Sequence, residues 1–349
     1  MRFAFYGATW AVALLLPFPG NGSEFTTVDC PGSTSTVAVS LNAQGQIVGA
    51  CTIGRTSVGF LRSPNGEFRT VSVAVSPSGT GLVDISDAGI MIGSYQDASG
   101  IIHGFTFDGI TVSSFALAGV TFTLPVGINS SGVVAGYSLT YGDSGPPVGQ
   151  GFVRDTQGVI TTFQVPNFTY TQAAAINESG EIVGFGSNSA GNHGFIRDAE
   201  GNFTIFDVPG SDPVQGTFPA SVNNNGQITG WWGDSRTASH GFTRDALGNF
   251  TTFSAHGAGL NNFEGTFPAS INDSGEVTGY GITSGNDDFS FTQSGLADPV
   301  KFQDPSGSPP NGFGTQAIKI NSSGQIVGAY YDSSGRIHGF IRNVLPPVE

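Results

Sequence analysis

Four of the chain's five histidines fall in one recurring phrase, H-G-F, at His103, His193, His240 and His338. Imidazole titrates near neutrality and ligates metals readily, so a histidine repeated at one seat could form a ring of acid–base or ligating groups. The equivalent seats argue against this. VGF (58–60), QGF (150–152) and DDF (287–289) put Val58, Gln150 and Asp287 there. A seat open to such different side chains suits a histidine that hydrogen-bonds within its own repeat. His256, in the Gly-rich SAHGAG, lies outside the phrase and is a lone candidate for catalysis.

Other polar groups recur too. Asn42, Asn129, Asn177, Asn223, Asn272 and Asn321 each open an N-x-x-G turn. They could form a ligand-binding ring, but an Asn side chain commonly bonds its own backbone in a turn while the Gly supplies positive φ. YQDASG (95–100) and YYDSSG (330–335) resemble calcium loops yet lack the run of oxygen ligands and the distal carboxylate. No cofactor is therefore expected, with calcium the one ion these loops could take. G-x-S-x-G elbows, P-loops and H-E-x-x-H are missing, so no catalytic residue is assigned.

The repeats supply the scaffold. LNAQGQIVG (41–49), INSSGVVAG (128–136), INESGEIVG (176–184), VNNNGQITG (222–230), INDSGEVTG (271–279), INSSGQIVG (320–328) and the weaker ISDAGIMIG (85–93) end in glycines spaced 44, 43, 48, 46, 49 and 49 residues apart. Each continues through a variable loop to H-G-F, a turn such as RDAEG (197–201), and a run such as NFTIFDVPG (202–210). Four β-prone runs per unit, none with helical period, predict one propeller blade per repeat. The last unit stops at HGFIRN, and EFTTVDCPG (24–32) matches the missing run. The expected fold is thus an all-β, seven-bladed propeller over 23–349, with Phe25 to Val28 joining the last blade beside His338 to Arg342. A linear solenoid is the alternative and would show capping repeats.

The phrases N-x-x-G-x-I-V-G, H-G-F-x-R-D and F-T-T-F-D-x-P-G resemble those of the bacterial HAF repeat family of probable extracellular repeats. The likeness runs over essentially the whole chain after the leader. It departs from the family motif by a Gly between His and Phe and by the loss of His in three copies. The resemblance implies export and repetition and carries no activity.

Residues 1–22 have Arg2, an apolar run to Leu16 and a Pro/Gly break, the layout of a signal peptide cleaved near Gly22–Ser23. An uncleaved anchor is the other reading. Cys30 and Cys51 suit a disulfide in an exported chain, or two separately buried thiols. Charged residues are 11 %, against a typical value of about 25 %. A net charge of −14 with 12 Lys plus Arg excludes nucleic acid and anionic membrane as partners, and no later apolar run is long enough for stable membrane insertion.

In an up-and-down blade, the loops after the closing Gly and after the fourth strand share a face. Those loops vary most, and the face collects aromatics. Tyr137, Tyr141, Trp231, Trp232, Tyr280, Tyr330 and Tyr331 are the candidate ligand-binding set. Alternation sends Trp231 and Trp232 to opposite sides, one to pack and one to recognise. The expected function is a monomeric, exported, non-enzymatic scaffold that binds an extracellular glycan or protein on that face. The alternative is an exported hydrolase or lyase with an acidic site at the central channel.

Overall fold

The computed structural model describes residues 24–73, 76, 79–141, 148–261, 264–307 and 314–343; the expected leader lies outside them. Among the described residues there is no helix, and every regular element is a strand. Leaving β1 (Phe25–Val28) aside, the strands fall in chain order into antiparallel groups. β2 (Ser35–Leu41), β3 (Ile47–Ile53), β4 (Thr56–Arg62) and β5 (Phe68–Val71) form the first; β6 (Thr80–Ile85), β7 (Met91–Gln96), β8 (Ile102–Phe107) and β9 (Val112–Phe115) the next. Then come β10 (Phe122–Ile128), β11 (Val134–Thr140), β12 (Val148–Arg154) and β13 (Ile160–Phe163), followed by β14 (Tyr170–Ile176), β15 (Ile182–Asn188), β16 (Gly191–Arg197) and β17 (Phe203–Phe206). After these come β18 (Thr217–Val222), β19 (Ile228–Gly233), β20 (Ser239–Arg244) and β21 (Phe250–Phe253), then β22 (Gly265–Ile271), β23 (Glu276–Ile282), β24 (Asp288–Ser294) and β25 (Val300–Phe302). The last group is β26 (Thr315–Ile320), β27 (Ile326–Tyr331) and β28 (Ile337–Arg342), with β1 as its fourth strand, Phe25 opposite Arg342 and Val28 opposite Gly339.

One local device recurs in every group. The closing glycine pairs on one side with the first strand and on the other with the Phe of H-G-F, as in Ala173↔Gly184↔Phe195 and Ala317↔Gly328↔Phe340. A Cβ on Gly184 would collide with the Gln172 carbonyl oxygen and press on the Phe195 ring. The glycine therefore lets the Phe lie flat over the strand, and Phe60, Phe105, Phe152, Phe195, Phe242, Phe291 and Phe340 are fully buried. Beside the pair, each first strand carries a β-bulge, such as the register shift between Ala173 and Ala175, which leaves one residue outside the ladder.

The register corrects one reading. DDF does not fill the H-G-F seat, because Gly279 pairs with Phe291 and Gly281 with Phe289. Phe289 thus sits where His240 sits opposite Trp232, and Asp287 precedes the strand. Phe291 follows Gly279 by twelve residues, as Phe242 follows Gly230.

A second device joins neighbouring groups. The hydroxyl of a Thr near the start of each first strand accepts the N–H of the second residue after the preceding fourth strand, as Thr36 does from Cys30, Thr123 from Leu117, Thr171 from Val165 and Thr217 from Val208, at 3.0–3.2 Å. Arg side chains help, with the Arg244 guanidinium 5.2 Å from the Phe206 ring of the preceding group and 5.9 Å from Phe250 of its own.

Two glycines separate packing from backbone strain. Gly328→Val should cost roughly 3 kcal/mol or more, because the Cβ meets the Gln316 carbonyl oxygen and the Phe340 ring. Gly335→Ala should cost only about 1–2 kcal/mol, since its space is open and only its φ of +83° opposes a side chain. Urea unfolding of both variants checks this, and equal losses would contradict the packing account.

Candidate functional site

The N-x-x-G turns converge. Leu41 to Ala43, Asp84 to Asp87, Ile128, Ile176 to Glu178, Val222 to Asn224, Ile271 to Asp273 and Lys319 to Ser322 line one depression of about 710 Å³, open to solvent, to which every group contributes. Each Asn oxygen there accepts the N–H four residues on, as in Gln46 N–H to Asn42 Oδ1 at 3.0 Å and Glu181 N–H to Asn177 Oδ1 at 2.9 Å. That is the expected turn. In five of the six the amide nitrogen does something the sequence did not disclose: it donates to the main-chain carbonyl of the equivalent residue in the next group. Asn177 donates to Asn223, Asn223 to Asn272, Asn272 to Asn321, Asn321 to Asn42 and Asn42 to Ser86, at 2.8–3.2 Å. All six asparagines are buried.

The next residue of several turns makes a similar contact with its neighbour. Ala43 N–H donates to Asp87, Ser130 N–H to Glu178, Glu178 N–H to Asn224 and Asn224 N–H to Asp273, at 2.7–3.1 Å. Asp87, Glu178 and Asp273 thus bring carboxylates to the mouth while being held by backbone donors.

Below the mouth, a second recess, also open to solvent, shares Asp84, Ile176 and Lys319 with the first. It is lined by the bulged residues Val39, Val83, Val126, Ala174, Ala220, Ala269 and Ile318. Beside the bulge each repeat has one further seat, two residues before the turn Asn or its Ser86 counterpart, held by Ser40, Asp84, Gly127, Ala175, Ser221, Ser270 and Lys319. Two of these are charged. The Asp84 side chain is 11 % exposed, and its carboxylate accepts the Ser40 hydroxyl at 2.6 Å and the Ile128 N–H at 3.1 Å and lies 3.8 Å from the Lys319 ammonium. Sequence reasoning passed over this pair because neither residue sits in a motif. Their common offset from the turn is the signal that could have found them.

The histidines lie elsewhere. His103 meets Asp97 at 2.8 Å and stacks on Tyr95. His193 meets Asp207, His240 meets Ser254, and His338 lies between Asp29 at 2.7 Å and Asp332 at 3.1 Å. His256 is exposed in the loop after β21. The two acidic loops are turns: Asp97 accepts from Ser99 and Ile101 N–H, and Asp332 from Ser334 and Arg336 N–H. Among the described residues no three His, Cys, Asp or Glu side chains gather as a metal site.

The aromatic candidates divide. Tyr330 is 3 % exposed, stacks on His338 and bonds Thr27, which corrects its reading as a surface residue. Tyr331 beside it is half-buried. Trp232 packs on His240 in the cluster around Phe206 and Phe242, with its indole N–H buried and unbonded. Trp231 points the other way, stacked on Phe218 at 4.1 Å and edge-on to Phe267, which stacks on Tyr280. Burial raises the Tyr137 and Tyr280 phenols, and burial with Tyr137 and Tyr141 nearby pushes Tyr170 up to about 12. Tyr141 is 57 % exposed and meets Phe122 edge-on. These rings chiefly contact one another. Cys30 and Cys51 are disulfide-bonded.

No family model matches the chain, and no curated protein sequence does. Solved structures do. Virginiamycin B lyase from Staphylococcus aureus aligns with a TM-score of 0.57 at 13 % identity, over 92 % of this chain and 98 % of that one. A streptogramin B lyase aligns at 0.55 and 11 % identity, over 90 % and 96 %. A prolyl endopeptidase aligns at 0.59 and 10 % identity, over 91 % of this chain and 51 % of that one. Identities this low carry the fold alone, an all-β, propeller-like architecture. The expectation of a non-enzymatic glycan- or protein-binding scaffold is corrected by these neighbours: two of them are lyases that align along almost their whole length, and the third is a peptidase.

The acidic turns set a pH dependence. The Ser334 hydroxyl and then His338 hold Asp332 below the usual carboxylate range, His103 does so for Asp97, and the Asn202 and Asn249 carboxamides do so for Asp198 and Asp245. A depressed folded-state pKa contributes stability that is present above the unfolded value, about 3.9, and is lost as pH falls through the folded value. The melting temperature should therefore hold from about pH 7 to 5 and decline below about 4. Asp332→Asn should lower it at neutral pH, with the gap to wild type closing toward about pH 2; a gap independent of pH would refute the electrostatic origin.

Proposed function

We propose that the chain is a seven-bladed β-propeller closed into a ring by β1, and that its axial channel is the active site of an exported lyase or hydrolase. The closed ring is supported by the pairing of β1 with β28 and by the Asn321 amide donating to the Asn42 carbonyl, which together join the last group to the first. Export is supported by the layout of residues 1–22 and by the disulfide, and kinship with the HAF repeats by the recurring phrases.

The observation that carries the enzymatic reading is Asp84 and Lys319, the charged pair in a channel seat otherwise held by Ser, Gly and Ala. Asp84 is nearly buried while the Lys319 side chain is 38 % exposed, so water screens the pair only in part. Asp84, oriented by the Ser40 hydroxyl and the Ile128 N–H, is placed to take a proton from a substrate carbon or from water. Lys319 is placed to neutralise charge developing on the departing or attacked oxygen and to return a proton to it. In an elimination the C–H proton passes to Asp84 as the bond to the leaving group breaks. In a hydrolysis the proton comes from the attacking water. The carboxylates at the mouth face whatever enters.

A panel of chromogenic esters, peptides and glycosides, with elimination substrates followed by the absorbance of the new double bond, tests this. Turnover should fall by about 10²–10⁴ in Asp84→Asn, with similar loss in Lys319→Met and with melting preserved in both. Turnover that survives both substitutions places catalysis elsewhere. Ligand capture without turnover across the panel rejects the enzymatic reading.

A further inference from the structure

β1 is joined to its group differently from the other fourth strands. β17 follows β16 through the short turn at 198–202, whereas β1 meets β28 with no turn between them. Its hold is non-covalent. Four register pairs run from Phe25↔Arg342 to Val28↔Gly339, Asn343 N–H donates to the Glu24 carbonyl at 2.8 Å, and Asp29 takes His338 Nδ1 at 2.7 Å and Arg336 Nη2 at 3.4 Å.

The disulfide lies beyond the other end of β1, past the Val28↔Gly339 pair. Cys30 lies two residues after the end of β1 and bonds Cys51 in β3, in the first group. The threonine contacts show what occupies the Cys30 seat elsewhere: Leu117, Val165 and Val208. The strand register shows what faces the H-G-F histidine in the Cys51 seat elsewhere, including Tyr95, Trp232 and Tyr330. The covalent link therefore ties the end of β1 opposite the missing turn to the first group, and the edge between β1 and β28 is left to non-covalent contacts. The same seam divides the proposed site, because Lys319 belongs to the last group while Ser40 and Asp84 belong to the first two.

We propose that the Cys30–Cys51 disulfide is a redox latch on the ring. Oxidised, it pins the root of β1 so that the strand stays on the edge of β28. Reduced, it lets β1 detach, opening the seam and separating Lys319 from Asp84. The latch presupposes the closed ring. A dithiol supplies the two electrons: one of its thiolates attacks a protein sulfur and breaks the S–S bond, and its second thiol resolves the mixed disulfide, leaving two protein thiols and the cyclic oxidised reductant. Both cysteines are almost wholly buried, so the attack waits on local opening of the seam.

Hydrogen exchange read by mass spectrometry on the exported protein, with and without dithiothreitol, tests the latch. Reduction should speed exchange at Phe25–Val28 and Ile337–Arg342 by at least about ten-fold while β16 and β17 keep their protection. Cys30→Val, which places in the seat the side chain found there at Val165 and Val208, should show the fast exchange without reductant. Unchanged exchange in both the reduced protein and the variant overturns the proposal, as does an equal loss of protection in every group, which marks the disulfide as a general stabiliser. Fast exchange of β1 in the oxidised protein instead refutes the closed ring itself.

Discussion

The carboxamide of the turn asparagine is the interaction on which the rest depends. Its oxygen closes a turn within one group and its nitrogen reaches the main-chain carbonyl of the next, so one side chain both shapes a hairpin and fixes its distance to a neighbour. Each such bond contributes only about 1 kcal/mol net, but losing a buried partner costs about 1–3 kcal/mol. Because both functions belong to one planar group, the turn and the spacing between groups cannot vary independently. Ser86 keeps the first function, its hydroxyl accepting Ile90 N–H at 3.2 Å, and as a hydroxyl has no amide donor for the second.

Around that circle the groups are built by subtraction. A glycine in the second strand gives up its side chain so that a phenylalanine can lie over it, and the bulge opposite absorbs the resulting mismatch. The outer end of each group is then tied to its neighbour by a threonine hydroxyl and, in several groups, by an arginine over a phenylalanine ring. The inner tie, the outer tie and the Gly–Phe stack occupy different distances from the shared cavity, and this lets the loops between them vary in length without moving the sheets.

Regular repetition also explains how a distinctive site arises. Equivalent seats from each group line the cavity, and the backbone is indifferent to what stands in most of them. A carboxylate in one and an ammonium in another, reaching across from the last group to the second, meet at 3.8 Å only because the intervening seat is a small Ser40 that also orients the carboxylate. The aromatic side chains of the strands, Phe218, Trp231, Phe267 and Tyr280 among them, by contrast contact chiefly one another.

The sequence by itself determined the strands, their grouping in fours and the turns, because these depend on local alternation, on glycine and asparagine chemistry, and on a period that can be counted. Counting failed at DDF, where the phrase was followed instead of the spacing to the closing glycine. The tertiary structure alone decided the amide bonds between groups, the pairing of His338 with both Asp29 and Asp332, the packing of Tyr330 and Trp232, and the meeting of Asp84 with Lys319. Asp84 and Lys319 come from the second and the last repeat and lie far apart along the chain. No local pattern encodes their approach; it follows from the curvature that accumulates as one group is set against the next.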